Sequence, residues 1–150
     1  MHSYANLGEC GSLETCSECI CGIESNDGVR GCGAEYVMTD PACPAGCASR
    51  QVDGVQLCYC GPFQLTDGYF QQCTNGTRHV ITEDFLTCVL DEDCAKRCVV
   101  NYLDRFANTC GAQTCRDMFQ LHRNGPNKCR GGNVLRAEAR ALGQCCDTPG

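Results

Sequence analysis

Cys16-Ser17-Glu18-Cys19-Ile20-Cys21-Gly22-Ile23-Glu24-Ser25 is the stretch from which the rest of the chain can be placed. Together with Leu13, the residues Cys16, Ile20 and Ile23 recur at steps of three and four, the spacing of one buried helical face, and predict a helix over residues 12–24. Its three cysteines can fasten that helix to three other parts of the chain. Glu24 stands at its end, just ahead of Ser25-Asn26-Asp27-Gly28, which reads as a stop and a turn. A carboxylate there faces the negative end of the helix dipole, so its ionised form is disfavoured and a raised pKa is expected. That suits a general acid. The plainer reading of the same residue is a solvated glutamate at a frayed helix end.

Composition narrows the setting. The chain has 150 residues, enough for one domain with a core, and 18 of them are cysteine. Such a density marks an oxidised, disulfide-stapled, secreted extracellular protein, and the even number lets every cysteine pair. The pairing itself cannot be read from the sequence. Zinc is the competing use of the short spacings Cys16/Cys19, Cys43/Cys47 and Cys58/Cys60, with His79 and His122 to help, but no paired CxxC knuckle occurs. No metal or cofactor is expected. The net charge of −6 and the lack of a basic run argue against nucleic acid, and no apolar stretch approaches membrane-spanning length. The first residues, Met1 to Asn6, lack an apolar signal-peptide core, so a mature secreted form is expected. Asn75-Gly76-Thr77 matches a glycosylation acceptor.

Outward from the first helix, residues 1–9 read as a polar tail, 25–34 as Gly-rich and irregular, and Glu35 to Met38 as a short strand. Pro and Gly keep residues 39–47 irregular. Asp53-Gly54 between two extended runs, Gln51-Val52 and Val55-Gln56, signals a hairpin. Helices are then predicted from Gly61-Pro62 to about Cys73, after a cap at Thr82, and after a cap at Asp91, where Cys94, Cys98, Tyr102 and Phe106 share a face. A shorter one runs from Arg116 to His122 and a last one from Asn133 to Leu142. Adjacent Cys145 and Cys146 must reach different partners. The result is an α+β domain, mostly helical with a small antiparallel sheet.

At Cys60-Gly61-Pro62-Phe63-Gln64-Leu65, with Tyr69-Phe70 and Cys73 beyond, the chain resembles the invertebrate-type lysozymes, the family that includes the destabilases. Three further segments resemble that family's motifs in the right order: Cys16 to Ser25, Cys94 to Tyr102, and His122-Arg123-Asn124-Gly125-Pro126-Asn127-Lys128-Cys129. Together they cover residues 16–129, and jointly they are specific where each alone is weak.

The resemblance implies a lysozyme-like fold and cleavage of the β-1,4 linkage between N-acetylmuramic acid and N-acetylglucosamine in peptidoglycan. The role would be antibacterial or digestive. It maps the family's catalytic acid onto Glu24. The second carboxylate, an Asp three residues after a Gly-Cys pair, falls on Glu35, after Gly31-Cys32. The chemistry needs one protonated carboxyl to donate to the leaving oxygen and one ionised to stabilise or trap the sugar cation. Glu35 is one methylene longer than the family's residue. A disulfide-stapled insertion over 36–58 offers Asp40 and Asp53 as rivals, and residues 130–150 form a C-terminal helical extension outside the resemblance. Tyr69, Tyr102 and His122 are the candidate sugar contacts.

Some members also cleave γ-glutamyl-lysine isopeptide bonds. The positions matching that dyad are Leu57 and Thr66, which supply neither nucleophile nor base.

Two alternatives to the muramidase stay open: a catalytically impaired lysozyme-like glycan-binding protein, and a chitin-oligomer hydrolase. A monomer acting on peptidoglycan or a related amino-sugar polymer is expected. A raised Glu24 pKa and an acidic chain, with a pI of about 4.9, would give an optimum at about pH 4–6, and moderate salt at pH 7 would leave lysis unchanged or raise it.

Overall fold

The computed structural model describes residues 10–26, 32, 40–129 and 135–147; at Asn26 and Asp147 the backbone alone is described. The first helix, α1 (Leu13–Asn26), begins where the Ser12 hydroxyl accepts the Thr15 N–H. Leu13, Cys16, Ile20 and Ile23 are buried, as their spacing predicts. So are Ser17, Cys19 and Cys21, so α1 is enclosed on more than one face. The reason is covalent. Cys16 is bonded to Cys115, Cys19 to Cys145 and Cys21 to Cys32, three separate parts of the chain.

The long helix α4 (Glu92–Cys110) is the second axis of the core. Asp91 caps it by accepting the Cys94 N–H, and Gly111 closes it in the left-handed region. Around α1 and α4 pack α2 (Asp67–Cys73), α3 (Phe85–Leu90), α5 (Cys115–Asn124) and α6 (Arg136–Asp147). Phe63, Leu65, Val89, Val99, Leu103, Met118, Phe119 and Leu121 fill the space between them. Buried Asn101 of α4 holds the segment after α2. Its Nδ2 donates to the carbonyls of Cys73 and His79, and its Oδ1 accepts the His79 N–H.

All 18 cysteines are paired, and none is free. Cys73–Cys98 ties α2 to α4, Cys88–Cys94 ties α3 to α4, and Cys110–Cys129 closes the loop beyond α5. Cys145 and Cys146 do reach different partners, Cys19 and Cys10. Among the described residues no helix is long and apolar enough to cross a membrane.

The sheet is one antiparallel hairpin, β1 (Cys47–Val52) and β2 (Val55–Cys60). Asp53 and Gly54 both take positive φ, 52° and 79°, as a two-residue turn of this hand requires. Cys43 and Cys47 staple the preceding excursion to β2 through Cys58 and Cys60. The strand expected over Glu35 to Met38 lies outside the described residues.

Three helix boundaries differ from expectation. No helix opens at Gly61-Pro62. Residues 61–64 turn tightly, Leu65 bridges back to Cys60, and α2 starts after Thr66, whose side chain accepts the Tyr69 N–H. The turn is packed under α3: Gly61 has φ +74°, and a Cβ there would overlap the Val89 carbonyl. Gly61→Ala should therefore destabilise by at least about 1–3 kcal/mol from backbone strain alone, with the clash in addition; an unchanged melting temperature would contradict this packing. The third helix is capped by Asp84 rather than Thr82, because Asp84 Oδ1 is the atom that reaches the Thr87 N–H. The last helix runs on to Asp147, held by the Cys145 and Cys146 disulfides.

Candidate active site

A cleft of about 320 Å³ opens between the hairpin and the helices. Glu24 enters from the last turn of α1. The hairpin contributes Arg50, Leu57 and Tyr59, which share one face in the β1–β2 register. The turn and α2 supply Gln64, Thr66, Tyr69 and Gln72; α4 supplies Tyr102; the end of α5 supplies His122, Arg123 and Asn124. The four residues proposed from sequence that fall among the described residues, Glu24, Tyr69, Tyr102 and His122, therefore meet in one cleft.

Glu24 is not a frayed end. Its side chain is 12% exposed, and both carboxylate oxygens are engaged. Arg123 donates to Oε1 at 2.6 Å, and His122 Nε2 lies 3.6 Å from Oε2. Burial pushes the Glu24 carboxyl up, but the polar contact and charge of His122 and the charge and hydrogen bond of Arg123 outweigh it. The net direction is down from the ordinary glutamate value. The raised pKa expected from the helix terminus is thus corrected. His122 and the Arg123 guanidinium, brought in from α5 and 98 and 99 residues away in sequence, override the dipole.

His122 is itself held. Its Nε2 is 3.2 Å from the Phe63 carbonyl, which can only accept, and its Nδ1 is 2.9 Å from the Tyr69 hydroxyl. A ring protonated at Nε2 with Tyr69 donating to Nδ1 satisfies both contacts. Tyr69 stacks on Tyr102 with ring centroids 3.7 Å apart and planes 11° apart. Burial, with Tyr102 and Glu24 nearby, raises the Tyr69 phenol well above its ordinary value, and burial pushes Tyr102 up to about 12. Both phenols stay protonated and serve as a hydrogen-bonding aromatic wall.

Of the rival carboxylates, neither lines the cleft. Asp40 takes the Ser49 N–H and hydroxyl on one oxygen and the Ala42 N–H on the other, fixing the turn that leads into β1; these bonds hold its pKa below the usual value. Asp53 sits in the hairpin turn. Glu35 lies outside the described residues. The Cys21–Cys32 disulfide, with Cα atoms 4.8 Å apart, joins the chain three residues before Glu24 to the chain three residues before Glu35.

Arg50 and Arg123 went unremarked in the sequence. Arg50 packs its guanidinium 5.1 Å over the Tyr59 ring, and among the described residues no carboxylate pairs with it. The alternation of the hairpin could have placed Arg50, Leu57 and Tyr59 together. Nothing local signals the pairing of Arg123 with Glu24. The cleft thus carries two arginines against the single described carboxylate, although the whole chain is acidic.

The profile of the destabilase family matches residues 13–145. The chain belongs to that family. A lysozyme of Magallana gigas is 29% identical over 134 residues, covering 88% of this chain and 80% of the relative. Invertebrate-type lysozyme 3 of Caenorhabditis elegans is 28% identical over 137 residues, covering 87% and 84%. Among solved structures, the complex of Meretrix lusoria lysozyme with Aeromonas hydrophila PliI matches with a TM-score of 0.57 at 26% identity, covering 89% of this chain and 90% of that one. The fold is thus lysozyme-like, α+β, and membership of this destabilase family of lysozymes indicates a muramidase-type glycoside hydrolase.

Proposed function

We propose that this destabilase-family protein hydrolyses the β-1,4 bond between N-acetylmuramic acid and N-acetylglucosamine in peptidoglycan, with Glu24 as general acid and Glu35 as its ionised partner. The observation that carries this is Glu24: a carboxyl in the last turn of α1, shielded from bulk solvent, lining a cleft that an aromatic wall and two arginines complete. Protonated Glu24 donates to the glycosidic oxygen as the bond to the anomeric carbon breaks. The Glu35 carboxylate stabilises or captures the resulting sugar cation, and water then completes the exchange, returning a proton to Glu24. The Cys21–Cys32 bond supports the partnership, because it ties the two carboxylate-bearing segments together at equal remove from each. Tyr69, Tyr102 and His122 supply the surface against which a sugar ring packs. Leu57 and Thr66 both line this cleft, and the Thr66 hydroxyl caps α2, so the isopeptidase chemistry has no dyad at those positions. Nine disulfides suit secretion into an oxidising, extracellular space, where the protein acts as a monomer.

A second reading has one observation in its favour. The Arg123–Glu24 pair favours the ionised form of the acid, which fits a protein that binds glycan without cutting it. Products separate the readings. Purified oxidised protein incubated with bacterial cell walls should release fragments ending in reducing muramic acid, more readily than it cleaves chitin oligomers. Binding without release would establish the non-lytic reading, and cleavage of chitin oligomers alone would replace the substrate. Glu35→Gln should lower the rate by about 10²-fold or more, while Asp40→Asn and Asp53→Asn leave it within a few-fold. If Asp40→Asn or Asp53→Asn abolishes activity and Glu35→Gln does not, the second carboxylate comes from the insertion.

A further inference from the structure

Arg123 does not serve Glu24 alone. Its Nη1 donates to Glu138 of α6, 2.8 Å from Oε1 and 2.7 Å from Oε2, while Nη2 holds Glu24 at 2.6 Å. The guanidinium also lies 4.4 Å above the Phe119 ring. Glu138 is fixed in turn: its side chain is 14% exposed, Oε1 accepts the Leu135 N–H, and α6 is bolted to α1 through Cys19–Cys145. One cation is therefore shared by two shielded carboxylates, one in the cleft and one on the C-terminal helix.

We propose that Arg123 is a positioning residue that latches Glu24 in the resting enzyme, and that Glu138 is the alternative seat that keeps Arg123 in place when Glu24 takes up its catalytic proton. This rests on the hydrolase reading above and deepens it. The C-terminal helix then belongs to the active site rather than decorating it. When Glu24 is protonated it no longer attracts the guanidinium. Without a second partner the partly exposed guanidinium would be free to leave the cleft edge. With Glu138 already bonded to Nη1, Arg123 keeps a full counter-charge, and the Glu24 hydroxyl is released toward the cleft.

The groups facing Glu24 and its latch fix the sign of the effect. From α5 come His122 and Arg123; from α2, Tyr69; from α4, Tyr102; from α6, Glu138 behind Arg123; and Arg50 of β1 lines the same cleft. The two phenols stay neutral and His122 is unchanged in both variants, so Arg123 and Glu138 are the opposed levers. Removing the cation should make Glu24 easier to protonate. Removing Glu138 should make it harder, because the cation then serves Glu24 alone.

The test is a pair of full-length, oxidised variants, Arg123→Gln and Glu138→Gln, each assayed from pH 3 to 8 for release of reducing ends from cell walls. Loss of one close opposite charge should raise the ratio of the rate at pH 6.5 to that at pH 4.5 by about tenfold in Arg123→Gln. In Glu138→Gln the alkaline limb should move the other way. A purely structural role for either residue would lower rates without moving the limbs in opposite directions. Limbs that stay put, or move together, overturn the latch. The Glu24 carboxyl carbon followed by NMR in the same proteins gives a readout free of activity. Opposite shifts of its titration in a protein that cuts nothing would uphold the latch and overturn the hydrolase reading; unmoved titration overturns the latch alone.

Discussion

Glu24→Gln is expected to leave a folded, oxidised protein that releases no measurable reducing ends from cell walls, a loss of about 10²-fold or more. The amide matches the carboxyl in shape but has no acidic proton to give the leaving oxygen. Stability should barely change. Arg123 is partly solvated, with 31% of its side chain exposed, and it keeps Glu138, so the lost pair resembles an exposed one, worth about 0–1 kcal/mol. The comparison is initial rate beside melting temperature. A variant that keeps more than about a tenth of the activity would show that another group donates the proton, with His122, 3.6 Å away, the first to examine.

The second large effect concerns the frame. Cys16–Cys115 is buried and links α1, which carries Glu24, directly to α5, which carries His122 and Arg123. Cys16→Ala with Cys115→Ala should lower stability by about 2–5 kcal/mol. In a chain of this length that is a fall in melting temperature on the order of 10 °C. Activity should drop further than the unfolded fraction explains, because small displacements of α5 move both partners of the Glu24 carboxylate. A loss below about 1 kcal/mol would mean that helix packing alone sets the geometry between α1 and α5.

What could be read in the sequence depended on how local its cause was. The α1 face, the Asp53-Gly54 turn and the cap at Asp91 rest on residues within a few positions of one another, and each stands where it was expected. The start of α2 was misplaced because Gly61-Pro62 resembles a helix opening. In fact Gly61 turns beneath Val89, a contact made by a segment 28 residues away. The cap at Asp84 instead of Thr82 is a finer version of the same difficulty: two capping types stood in a row, and only the fold decided between them.

The candidate site divides in the same way. Glu24, Tyr69, Tyr102 and His122 were legible because they sit in motifs resembling a known family's. The charge state of Glu24 was not. It depends on Arg123, next to a motif histidine but unremarkable by type, and on Glu138 in a helix that carries none of the motifs read from the sequence, although the family match extends over it. Net charge is a coarse guide for a related reason. An acidic total says little about a cleft lined by Arg50 and Arg123, where salt would screen attraction as well as repulsion.

The most direct measurement is the initial rate at which the purified, fully oxidised protein releases reducing ends from bacterial cell walls between pH 3 and 9. In the proposed role Glu24 has to be protonated to act, and its partners hold its pKa down. The rate should therefore be greatest on the acid side and fall toward neutrality along a single ionisation, one that Arg123→Gln moves upward. No release at any pH, or an optimum above pH 7, would contradict Glu24 as the acid of a cell-wall hydrolase.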